Sequence, residues 1–183
     1  MSLVFTNHTI DLIEEGVDIQ LTGGRIDDMN LIVRRLVPYD MVVCASPAYW
    51  SRRGIPRVPE DIARHDVLSY SSMPTTYLPF ETDGKAHEVA VHSRMEANVA
   101  SALIELALRG AGVVYVPEPL AHSHLERGAL VPVLREHMPR GHWLYAAYSQ
   151  RRHNSAAMRA MLDFLEKSIA SPAIPVPPPA LRA

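Results

Sequence analysis

Apolar positions along this chain fall into short unbroken runs and helix-spaced stripes, in alternation. Residues 41–45 read Met-Val-Val-Cys-Ala, five consecutive apolar positions. A run that short and valine-rich predicts a strand buried on both faces. Ser46 follows as a helix cap, Pro47 suits a first helical position, and Gly54 can end the short helix. A mixed apolar and basic stretch, 31–37, precedes the run and closes at Pro38. A buried strand feeding a helix is half of a βαβ unit.

The same alternation covers the rest of the chain. Residues 3–6 form a short strand candidate. Thr9 can cap a helix with Ile10, Leu12 and Ile13 facing inward and Gly16 as its stop. Residues 17–22 alternate apolar with Asp18 and Gln20 and predict a strand ended by Gly23-Gly24. Strand, helix, strand in that order implies a crossover with parallel pairing. Downstream, a short helix begins at Pro59 and a strand spans 67–70. Residues 71–79 are polar and proline-containing, hence a loop. Residues 80–92 read as a hairpin turning at Asp83-Gly84. Asn98 caps a helix with Val99, Ala102, Leu103, Leu106 and Ala107 on one face, widened by Ile104 and Leu108. A strand at 113–116, a short helix at 119–126 and strands at 130–134 and 144–148 follow. Asn154 or Ser155 caps a last helix whose inner stripe is Met158, Met161, Leu162, Leu165 and Ile169. The pattern predicts an α/β fold with mainly parallel sheets.

Composition changes this picture at one place. Five of the thirteen residues 171–183 are proline, which predicts a disordered polyproline-like tail outside any core. Elsewhere the 48% hydrophobic content is that of a globular chain, and 183 residues suffice for two small lobes. A formal charge of −2 lacks the basic footprint of a nucleic-acid binder. No apolar run approaches the length of a membrane span, and the first residues lack the pattern of a signal peptide. The single Cys44 has no internal disulfide partner, which fits a cytoplasmic location.

The segment 36–68, with Ala45-Ser46-Pro47, Tyr49, Gly54, Pro56, Pro59-Glu60-Asp61 and His65 in order, resembles the effector-binding domain of LysR-type transcriptional regulators. Gly16-Val17-Asp18 with the residues to Gly24, the Gly110 to Leu134 segment, and the closing 144–165 stretch are similar to further parts of that family. The resemblance runs from about Leu3 to Ala170. It implies two Rossmann-like lobes with the ligand in an inter-lobe cleft, as in type 2 periplasmic binding proteins. Lobe one would be residues 1–43 plus 146–170, and lobe two 44–145. The family's winged helix-turn-helix, linker helix, and first strand and helix of lobe one have no match here, so lobe one is expected to be incomplete at its N-terminus.

Candidate sites follow from strand and helix ends. Asn98 at a helix N-terminus points either to an ordinary cap or to an anion site, because free N–H groups and the helix dipole favour negative charge there. The resemblance implies effector contacts at this point, and Val99 and Pro117 join the candidate set. Thr22 and Gly23 follow a strand's C-terminal end, where ligands of open α/β sheets bind; a plain turn is the bland reading. Ser71 and Ser72 end another strand and match a cleft position of the family less closely, so loop polarity is the better account of them. Cys44 reads as a buried structural thiol rather than a redox sensor. His122 and His124, two apart on a helix, point in different directions, so no metal site is expected. Arg34-Arg35 and Arg151-Arg152 read as solvated or partner-facing charges. No G-x-S-x-G, H-E-x-x-H or phosphate-loop motif occurs.

These readings favour a non-enzymatic sensor of a small, anionic effector with no cofactor. DNA contact would belong only to the unmatched helix-turn-helix module, and the full-length protein would be a homo-oligomer. A stand-alone solute-binding protein is the alternative, and an α/β enzyme a third reading without a catalytic constellation.

Overall fold

The computed structural model describes residues 2–6, 11–12, 14–23, 26, 30–70, 77–150 and 155–169. In chain order the elements are β1 (Gln20–Thr22), β2 (Leu31–Tyr39), β3 (Met41–Ala45), α1 (Pro47–Arg53), a 3-10 turn (Pro59–Arg64), β4 (Asp66–Tyr70), β5 (Tyr77–Thr82), β6 (Lys85–Ala90), β7 (His92–Ala97), α2 (Ala100–Leu108), β8 (Val113–Pro117), α3 (Glu118–Glu126), β9 (Val131–Val133), β10 (His142–Ser149) and α4 (Ala156–Ile169). The chain divides into two compact units. One comprises Tyr39–His142 together with Met1–Thr9, the other Ile10–Pro38 and Trp143–Ala183.

The first unit is built on β3. Successive side chains of a strand face opposite ways, and here both sides are interior. Val43 and Ala45 pack with Tyr49, Trp50, Ile62, Leu78 and Phe80, whereas Val42 and Cys44 pack with Leu103, Ile104, Ala107 and Leu130. Burying one such valine contributes about 1.5–3 kcal/mol, which is why no position in this strand is polar. At its end Ser46 Oγ accepts the Tyr49 N–H at 3.3 Å, Pro47 opens α1, and the Gly54 N–H closes on the Trp50 carbonyl at 2.8 Å. Helix α1 lays Tyr49 and Trp50 on the sheet, and Trp50 Nε1 donates to the Val131 carbonyl at 3.0 Å. The Asp61 carboxylate accepts from the Arg57 and Val58 amides and organises the 3-10 turn.

The five-stranded sheet has the order β7-β4-β8-β3-β9. Strand β4 runs parallel to β7 and β8, with α2 crossing from β7 to β8, but β3 is antiparallel to both β8 and β9. The expected parallel pairing thus holds for β4, β7 and β8 and fails for β3. An apolar run reports burial on two faces and carries no information about the direction of its neighbours. The β5–β6 hairpin turns through Asp83 at φ 51 and Gly84 at φ 72. Positive φ at both central residues is the type I′ geometry that matches strand twist.

In the second unit β1, β10 and β2 form a three-stranded sheet in that order, β1 antiparallel to β10. Helix α4 buries Met158 and Leu162 against Leu36, Ala146 and Tyr148. Pro38 lies on β2, an edge strand, where a missing donor is tolerated. Arg34, expected to be a solvated or partner-facing charge, instead donates twice to Glu166, at 3.1 and 2.7 Å, and Arg35 stacks 5.4 Å over Trp143. Arg151 and Arg152 lie outside the described residues.

The N-terminal expectations are corrected most. Residues 3–6 form no strand; Leu3, Val4 and Phe5 are exposed, Phe5 by 89%. Of the expected helix at 9–15, the described residues make only turns, with Glu15 N–H on the Asp11 carbonyl and Val17 N–H on the Leu12 carbonyl; Thr9, Ile10 and Ile13 lie outside the described residues. The strand expected at 17–22 shortens to Gln20–Thr22, and its described partner is antiparallel β10 rather than a parallel crossover strand. The proline-rich stretch 171–183 is likewise outside the described residues.

Candidate functional site

Three parallel strands of the first unit end on one edge. Tyr70 pairs with Ala97, and Leu68 with Val114, so β4, β7 and β8 present their C-terminal ends together. Ligands of open α/β sheets bind beyond such ends. Asn98 and Val99 continue from β7 into α2, both exposed, and Pro117 ends β8 half-buried, where α3 begins. Three sequence-predicted positions therefore share one edge. Ser71 and Ser72, directly after Tyr70, lie outside the described residues. Thr22, half-buried at the end of β1, and exposed Gly23 belong to the second unit, with Thr22 opposite Tyr145.

Asn98 is not the cap of α2. That position is Val99, in extended geometry at φ −133 and ψ 130, and no side chain caps the helix. The first turn also carries no acidic residue. The helix thus has no side-chain cap on its first N–H groups and no carboxylate in its own first turn, a suitable environment for an anion. Asn98 stands one residue earlier, because β7 runs on to Ala97 and the chain needs a further extended residue before it can coil.

Two hydroxyls escaped the sequence reading. Ser69 Oγ and Tyr115 OH are buried and have no hydrogen-bond partner among the described residues. Burial, and next the Tyr39 phenol, push the Tyr115 hydroxyl up to about 12, so it stays protonated as a donor. The signal was present: Ser69 follows the apolar pair Val67-Leu68 in β4, and Tyr115 stands between apolar valines in Val-Val-Tyr-Val-Pro of β8.

The remaining candidates resolve simply. Cys44 is fully buried, and burial pushes its thiol up to about 12, as suits a structural residue rather than a redox sensor. His122 Nε2 lies 3.3 Å from Glu126, while Arg127 donates to His124 Nδ1 at 2.6 Å, so the two rings serve different partners. Among the described residues no group of three His, Cys, Asp or Glu is placed to hold a metal ion. No described helix is long and apolar enough to cross a membrane.

Comparison with known proteins fits this arrangement. The family model for the LysR substrate binding domain matches residues 1–170. The HTH-type transcriptional regulator CrgA of Neisseria meningitidis serogroup B is 30% identical over 172 residues, covering 92% of this chain and 57% of CrgA. The HTH-type transcriptional activator AaeR of Escherichia coli K12 is 31% identical over 142 residues, covering 77% of this chain and 46% of AaeR. The chain therefore spans about half the length of the curated relatives it matches. The solved CrgA regulatory domain superposes with a TM-score of 0.75 at 29% identity, covering 85% of this chain and 77% of that one. Full-length AphB of Vibrio cholerae, at 22% identity, shares the fold with a TM-score of 0.75 over 91% of this chain and 57% of AphB. The apolar strand running into a proline-opened helix, the mixed sheet around it and the match across 170 residues together establish that this chain belongs to the LysR substrate-binding domain family, whose fold is the two-lobed, periplasmic-binding-protein-like α/β architecture.

Proposed function

We propose that the chain is the effector-sensing part of a LysR-type regulator of transcription, and that its effector is a small organic anion. The observation that carries this reading is the unneutralised, uncapped N-terminus of α2 at the shared C-terminal edge of β4, β7 and β8, in a chain of this family. In unit one the candidate contacts are Asn98, Val99, Pro117 and Ser71; Thr22 and Gly23 of unit two are candidate contacts in their own right. No metal or cofactor has a role in the reading. DNA contact and assembly into homo-oligomers would belong to the longer protein, acting in the cytoplasm. The alternative of a stand-alone solute-binding protein is less well supported, because the curated relatives are helix-turn-helix regulators.

Titration calorimetry of a panel of small carboxylic acids tests this. At least one acid is expected to bind. Thr22→Val keeps the volume and removes a hydroxyl, so it should weaken that acid while sparing the fold, by about 1 kcal/mol. Asn98→Ala should weaken it with a stability change within about 0.5 kcal/mol, since Asn98 is no cap. An acid that bound both variants as tightly as the parent would remove these residues from the site.

A further inference from the structure

We propose that Ser69 and Tyr115 form a polar subsite inside the first unit that takes a hydrogen-bond-accepting oxygen, carboxylate or carbonyl, of a small ligand. This deepens the effector reading and rests on it for the identity of the natural ligand.

The strand register places the two residues together. Val67 pairs with Val113 and Leu68 with Val114, so Ser69 and Tyr115 are the next rung of the same parallel pair. Val67 and Val113 share one core with Val43, and Tyr115 packs against it, which puts the Tyr115 and Ser69 side chains on that face. Ser69 is only 2% exposed. A buried hydroxyl without a partner opposes folding, and alanine and phenylalanine would fill the same spaces without that cost. Two such groups on adjacent strands, one rung inside the edge that carries Asn98 and Pro117, are two donors lacking an acceptor among the described residues. A third unpartnered buried atom lies at the same edge. Met41 pairs with Pro117, so Tyr39 stands just beyond the end of β8, and His142, whose Nε2 has no partner among the described residues, stacks on Tyr39 at 5.7 Å. The Tyr115 hydroxyl, held protonated and close enough to Tyr39 to feel its phenol, can only strengthen a donor role. An acceptor-only oxygen is the chemistry that satisfies Ser69 and Tyr115 at once.

The test follows backbone amides of the isotopically labelled chain by NMR during titration with sodium acetate and, separately, with acetamide. Saturable shifts at Ser69 and Tyr115 are expected with at least one probe; acetate alone marks an anion site and acetamide a neutral acceptor site. Ser69→Ala and Tyr115→Phe should each raise the apparent Kd by about tenfold or more, with melting no lower than the parent's, while Tyr77→Phe on the exposed end of the hairpin changes nothing. Absence of saturable shifts, or shifts that persist in the Ser69→Ala/Tyr115→Phe double variant, overturns the proposal and leaves the hydroxyls with water at most. If acetate or acetamide binds here and no metabolite acid binds the chain, the effector reading fails and the subsite stands. If a metabolite acid binds, the probes give no shifts and the acid is indifferent to both variants, the reverse holds.

Discussion

Single residues carry two of the strongest constraints in the first unit. Gly112 is one: a Cβ there would meet the Asp66 carbonyl at 2.4 Å, with the Leu68 side chain at 3.0 Å. Backbone cannot yield as a flexible side chain can, so Gly112→Ala should cost more than about 2 kcal/mol through overpacking. Denaturant unfolding checks this, and a change below about 0.5 kcal/mol would contradict the close approach. His65 is the other. Its ring is buried against Tyr49 and Trp50, and Tyr49 OH lies 3.3 Å from Nδ1 while accepting the Asp66 amide at 2.9 Å. Burial, then the Arg53 charge, hold its pKa below the ordinary 6.5, partly offset by Asp61 and Asp66. The folded state therefore prefers neutral His65. That preference stabilises fully above the unfolded value and is lost as pH falls below about 6.5 and through the lower folded value, because the unfolded chain takes up the proton first. Melting temperature should fall across that window, and His65→Gln should flatten this part of the profile. An equally steep profile in the variant would assign the acid sensitivity elsewhere.

At the scale of elements, caps and turns are where local chemistry is most direct. Ser46 is buried and its hydroxyl serves the first turn of α1. Ser46→Ala should lower stability by about 1 kcal/mol, read by chemical denaturation, whereas Asn98→Ala at the mouth of α2 should not. The contrast distinguishes a true cap from a residue that merely precedes a helix. The Asp83-Gly84 turn was legible because only a few residues adopt two successive positive φ values. Strand β7 was not legible at all. His-Ser-Arg-Met-Glu-Ala is an edge strand with mostly exposed side chains, so neither alternation nor an apolar run marks it; pairing with β4 makes it a strand. Missing it shifted the expected start of α2 onto Asn98.

For the whole molecule, a formal charge of −2 provides little attraction for phosphate, and counterion release cannot drive binding without a basic surface. The 183-residue chain by itself is expected to leave promoter DNA unshifted in a mobility assay at about physiological salt. Sequence-specific retardation would place base readout within these residues, contrary to the division of labour proposed for the longer protein. On the proposed reading the binding chemistry lies at strand ends and the stability in the sheets behind them, which is why Gly112, Ser46 and His65 are predicted to change folding, and Thr22 and Asn98 to change binding.

What the chain order alone determined is local and one-dimensional. Which segments are buried on two faces, where α1 begins and ends, where the hairpin turns, and which end of a strand meets a helix all follow from side-chain size, polarity and permitted φ within a few residues, and they held for β3, α1, β4, the hairpin turn and α4, whereas β5 begins at Tyr77, inside the stretch expected to be loop. Tertiary structure decided everything that depends on a distant partner. The antiparallel placement of β3 beside β8 and β9, the edge role of β7 and the pairing of Arg34 with Glu166 involve segments tens of residues apart. The same is true of the site: Asn98 and Pro117 were visible as ends of elements, but only the register of β4 on β8 brings Ser69 beside Tyr115, two buried hydroxyls with no partner among the described residues. Periodicity reports that a position is covered, whereas the group that covers it is chosen by packing.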